Sequence, residues 1–178
     1  MRLVPALGLL LTMAAPALSQ EACGSDPGAW LEANLEALDG FWSSENTAMI
    51  VVSPQVGTMD MGAQGVSTFS LTARDGGLLG ESGEEGSVPI MLYPDDRDLV
   101  IEPSEILANQ LDGDEIGILL GCDVADLPVL HGAAEAVVDG MTARTEMTAL
   151  VAGPDRMLIW VHFQSPMGDI YMSYASER

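Results

Sequence analysis

Residues 129–175 read VLHGAAEAVVDGMTARTEMTALVAGPDRMLIWVHFQSPMGDIYMSYA, and this stretch decides the fold. Alternating apolar and polar residues are broken by turn-forming pairs, so the period is two rather than 3.6. The pattern predicts a four-strand antiparallel meander over Val129–Val138, Thr142–Val151, Met157–Gln164 and Ile170–Ala175. Asp139-Gly140 is a two-residue hairpin signal. With that pair at the tip, Val138 faces Met141 and Glu135 faces Arg144, an opposite-charge cross-strand pair. The other face sets Gly132, Ala134 and Ala136 against Met147, Thr145 and Ala143. Such small side chains leave room, either for a packed helix or for a ligand. In the third strand, Leu158, Trp160 and His162 share one face, while Ile159, Val161 and Phe163 share the other.

Upstream the same alternation continues. Ser67–Ala73 places Phe69, Leu71 and Ala73 on one face, and Asp75-Gly76 then turns the chain. Met49–Val52, Val88–Leu92, Leu99–Ile101 and Ile116–Leu120 are short apolar runs, with Pro94–Asp98 a turn, Gly83–Gly86 an acidic loop and Ser104–Leu111 a short helix. Ahead of them, Asp26-Pro27 is an N-cap followed by proline at the first helical position, and Gly40 suits the stop. Leu31, Leu35 and Leu38 form an apolar stripe on this helix, with Trp30 beside it.

The first residues follow the order of a secretory signal: Arg2, an apolar stretch from Leu3 to Ala14, and a small-residue exit at residues 15–19. Cleavage after Ser19 leaves 20–178 as a single mainly-β domain, periplasmic or secreted. The apolar stretch falls short of the roughly 20 residues of a spanning helix, and no later segment is long enough, so no membrane span is expected. Cys23 and Cys122 are the only cysteines, and in an oxidising compartment an even count favours a disulfide between them. By the chain-entropy argument, closing a loop of about 100 residues stabilises by roughly 4 to 5 kcal/mol. Gln20-Glu21-Ala22 lacks the apolar residue that precedes a lipidated cysteine, which argues against a lipoprotein.

Charge narrows the partners. There are 27 acidic residues against 6 arginines and no lysine, a net charge of −21. Such a surface repels phosphate backbones and anionic head groups, which excludes nucleic acid. A basic protein partner or a cationic ligand suits it, as does simple solubility in a salty medium.

Chemistry-bearing motifs are sparse. Nucleophile-elbow, phosphate-loop, zinc-protease and C-x-x-C patterns are absent from the sequence. No catalytic residue, metal ligand or cofactor is therefore assigned, and the reading leans away from an enzyme. His131 and His162 are the two histidines, and one among apolar strand neighbours is ordinarily a hydrogen-bonded structural residue. Scattered methionines, with one close pair at Met59 and Met61, suit core filling better than a copper site. Asp112–Gly117 departs from a calcium loop at Ile116, a ligand position, and at Asp123, where a glutamate is usual.

Gly40-x-Trp42, following a helix and opening the β region, resembles the entrance of lipocalin-like barrels, where a tryptophan packs across the closed barrel end. The hairpins from Leu127-Pro128 to Pro154–Met157 resemble those of small uncharacterised exported proteins of Gram-negative bacteria. The resemblance implies an antiparallel up-and-down barrel or strongly curved sheet with one N-terminal helix. The expected function is non-enzymatic binding of a small apolar or cationic ligand by Trp42, Phe69, Met147, Trp160 and His162. The alternative is an acidic envelope-accessory or interaction module with no ligand cavity. Oligomeric state is not legible.

Overall fold

The computed structural model describes residues 22, 26–83, 87–95, 123, 126–138 and 140–178. Helix α1 spans Pro27–Leu38, and nine strands follow: β1 Gly40–Ser53, β2 Gly57–Asp60, β3 Gly65–Arg74, β4 Gly77–Ser82, β5 Ile90–Asp95, β6 Val129–Val138, β7 Met141–Gly153, β8 Arg156–Ser165 and β9 Gly168–Glu177. The leader, Cys23, Cys122, the segments expected at Leu99–Ile101, Ser104–Leu111 and Ile116–Leu120, and the loop at Asp112–Gly117 lie outside the described residues.

Closure comes from β1, which pairs with β3 on one edge and β9 on the other. Every neighbouring pair is antiparallel, so β1, β3, β4, β5, β6, β7, β8 and β9 form a closed eight-stranded up-and-down barrel. A barrel of this kind removes the exposed edges of an open sheet. Of the two architectures read from the sequence, the closed one holds. β1 shifts register between Asn46 and Ala48, and its far end then pairs with β2. Asn46, 4% exposed, fastens this kink: its amide donates to the carbonyls of Ala48 and Ser173, and its Oδ1 accepts from the Gln64 backbone N–H.

The meander expected over the last fifty residues is present as β6 to β9, including Glu135 opposite Arg144 and Val138 opposite Met141. Arg144 reaches Glu135 at 3.8 Å and Glu146 at 2.7 Å. Both pairs are solvent-exposed, so each contributes at most about 1 kcal/mol. Upstream boundaries differ from the sequence reading: β5, for one, starts at Ile90 rather than Val88. Pro94 and Asp95 belong to β5 and pair with Leu130 and Val129, rather than starting a turn. Met49–Val52 is the end of one long strand that begins at Gly40.

The helix forms as its sequence dictates. Asp26 accepts a hydrogen bond from the Ala29 backbone N–H at 2.9 Å, and Pro27 occupies the first turn. The chain leaves the helix through Gly40, whose φ of 141° is a conformation that side chains resist. Trp30, Leu31 and Leu38 are buried together with Trp42, Leu71, Leu78, Leu92 and Leu130. The Arg178 guanidinium donates to the Ala37 carbonyl, covering the acceptor end of the helix. The stripe therefore stoppers one end of the barrel. It does not fill the room beside Ala134 and Ala143 that the sequence left open between helix and ligand.

Candidate ligand-binding cavity

An eight-stranded barrel is just wide enough to be filled by its own side chains or to hold one small ligand. The sizes of the inward residues decide between these along its length. Near the helix the interior receives Trp42, Leu71, Leu78, Leu92, Leu130, Val151 and Met157, all buried. This half is solid core. Towards the other end the inward positions are Ser44, Ser67, Gly80, Ala134, Ala136, Ala143 and Thr145, and a cavity of about 420 Å³ opens between them. That volume falls within the usual range for small-molecule pockets. The result is a cup, with a floor at Trp42 and a mouth at the end of the barrel where β4, β6 and β8 finish.

Trp42 builds the floor. It is 1% exposed, its ring lies 6.4 Å from that of Phe69 at 16°, and its Nε1–H donates to the Leu38 carbonyl at 3.0 Å. Burial of so large a ring is favourable because its one polar atom is satisfied. Phe69, Met147, Ile159, Val161 and Met172 supply the apolar wall above it. The polar part of the lining is hydroxyl. Ser44 shares a 2.6 Å hydrogen bond with buried Ser176, and Tyr174 donates to the Met172 sulfur at 3.2 Å. Glu81 borders the cavity, but it alternates with inward Gly80 and Ser82 and its side chain is exposed.

Of the five residues expected on the wall, Phe69 and Met147 line the cavity and Trp42 underlies it as floor. Trp160 and His162 do not line it. They face outward, because Ile159, Val161 and Phe163 take the inward positions of β8. The reason is a bulge. β7 and β8 shift register between Val151 and Gly153, so Met147 stands opposite Val161. Continued without the bulge, the Gly153–Arg156 pairing would set Met147 opposite His162, and a one-residue slip exchanges the faces of a strand. On the outer face His162 stacks on Tyr171, with ring centroids 4.2 Å apart, and its Nε2 lies 3.7 Å from an Asp169 carboxylate oxygen. Nε2 is buried without a hydrogen-bond partner among the described residues, contrary to the hydrogen-bonded role expected for it.

Sequence reasoning missed Ser44, Ile159, Val161, Met172 and Tyr174 as lining residues. The wholly apolar run Ile159, Val161, Phe163 was the available signal, since an unbroken apolar face belongs inside. His131 also faces outward, sharing a 3.1 Å contact with the Thr148 hydroxyl. Neither histidine can serve as a general base on a molecule in the cup.

Comparison of the chain with protein-family models, with curated proteins and with solved structures finds no match.

Proposed function

We propose that this protein is an exported, lipocalin-like carrier that holds one small, uncharged, mostly apolar molecule in its cup. The observation that carries this reading is the change of inward side chains along the barrel axis, from packed leucines to serines and alanines. A protein with only structural demands on its interior has no use for such a gradient, because an unfilled volume forfeits packing contacts. The hydroxyls of Ser67, Thr145 and Tyr174 offer hydrogen bonds that fix orientation, while Phe69, Met147 and Met172 offer the apolar surface. Among the described residues no charged side chain points into the cup, which favours a neutral guest over a cationic one, since a buried charge needs a partner. The leader supports export in the same reading.

Titration with a neutral, polarity-sensitive naphthylamine fluorophore tests it. Wild-type protein is expected to bind one equivalent saturably, with a blue-shifted emission. Ala143→Trp places an indole in the hollow half and is expected to weaken binding at least tenfold, which is about 1.4 kcal/mol. Equal binding by the two proteins, or none by the wild type, contradicts the reading.

A further inference from the structure

Among the described residues the exposed large apolar side chains are unevenly spread: Phe41 and Tyr93 lie towards the helix end, and the other seven lie towards the far end. Val56 lies in the β1–β2 turn, Met61 follows β2, Val66 opens β3, Val88 precedes β5, Val137 ends β6 and Met167 lies in the β8–β9 turn. These six and Met59 of β2 stand around the mouth of the cup. Val66, Val137 and Met167 are 70%, 71% and 61% exposed. At the opposite end the β3–β4 and β7–β8 connections, Asp75-Gly76 and Pro154-Asp155, are polar. Exposed apolar side chains gathered in one place mark a contact surface.

We propose that the lip of the barrel docks on the surface of an electrically neutral lipid bilayer and exchanges the apolar guest with it. This inference rests on the cup being a ligand cavity. Three features choose the occupant. The centre of the ring is a hole, whereas protein–protein interfaces concentrate their binding energy in a packed central cluster rich in Trp, Tyr and Arg. A fluid apolar phase can follow a ring of separate valines and methionines and enter its open centre, which a rigid partner cannot. A second copy of the chain would bring together two surfaces of net charge −21, and an anionic bilayer would be repelled likewise. The continuity of lip and cavity also matters, because a guest soluble in hydrocarbon then passes from bilayer to cup without crossing water.

The test is flotation of the mature protein with phosphatidylcholine vesicles, alongside fluorophore titration in vesicle-free solution. Co-flotation with phosphatidylcholine is expected, weaker with vesicles containing phosphatidylglycerol at low salt and partly restored as salt screens the repulsion. The double substitution Val137→Asp with Met167→Asp is expected to lower the partition coefficient at least tenfold and leave fluorophore affinity in solution unchanged, since neither residue lines the cavity. Val137→Leu with Met167→Leu should retain flotation. Fluorophore binding without flotation overturns the docking inference alone. Absence of fluorophore binding overturns both it and the carrier reading. A dimer in sedimentation equilibrium that the Asp variants dissociate would assign the lip to a second copy and overturn it as well.

Discussion

Trp42→Ala is expected to destabilise the protein by about 3–5 kcal/mol, the usual cost of deleting a large buried aromatic ring. For a domain of this size that corresponds to a fall in Tm of roughly 6–20 °C in a thermal melt. The magnitude follows from three simultaneous losses. The ring's contact with Phe69 disappears, the Leu38 carbonyl at the helix end loses its donor, and the interior between helix and barrel is left with a void. Because Trp42 separates solid core from open cup, the void joins the cavity rather than collapsing, so little relaxation offsets the cost. Trp42→Phe keeps most of the packing and removes the hydrogen bond, and should cost about 1 kcal/mol. If Trp42→Ala melts within 2 °C of wild type, Trp42 is not the floor of the barrel.

Gly132→Ala should lower stability by about 2–3 kcal/mol, although exchanging glycine for alanine in a strand ordinarily helps. The position is unusual. A Cβ on Gly132 would lie 2.1 Å from the Met91 carbonyl oxygen and 2.9 Å from the Ile90 Cγ2. β5 therefore crosses closely over β6, where pairing between the two is confined to Tyr93, Pro94 and Asp95 opposite His131, Leu130 and Val129. Pushing β5 away strains the narrowest seam of the ring, because β5 holds β4 by only three paired positions. Gly83→Ala is the control, since nothing lies within 4 Å of the added carbon there. Chemical denaturation should show a clear loss for Gly132→Ala and a change within about 0.5 kcal/mol for Gly83→Ala. Equal stability of the two variants would mean that the seam is not closed as described.

The C-terminal meander was legible because its signals are local. Asp139-Gly140 sets the register of β6 against β7, and Glu135 opposite Arg144 follows from it. The helix was equally legible, through Asp26, Pro27 and the leucine stripe. What the sequence hid was non-local. Pairing of β1 with β9 joins residues more than a hundred positions apart, and no short-range pattern encodes it. Alternation within β8 separates Trp160 and His162 from Ile159, Val161 and Phe163 but does not say which face turns inward, and the second set lines the cavity. β4 escaped notice because Gly77 and Gly80 dilute its alternation, yet Gly80 is one of the small residues that make the cup hollow. From the sequence the helix is one candidate to fill the sheet's hollow face, whereas its direct connection through Gly40 holds it at the end where β1 begins.

Occupancy of the cup by an apolar guest is tested most directly at its methionines, two of which line it while Met59 and Met61 lie exposed outside. With methionine methyl groups carbon-13 labelled, titration of the mature protein with the neutral naphthylamine is followed by NMR. The account predicts saturable shifts of the Met147 and Met172 methyl signals at one equivalent, with Met59 unmoved. Met147 and Met172 signals that stay fixed while the probe saturates would place the guest elsewhere and contradict it.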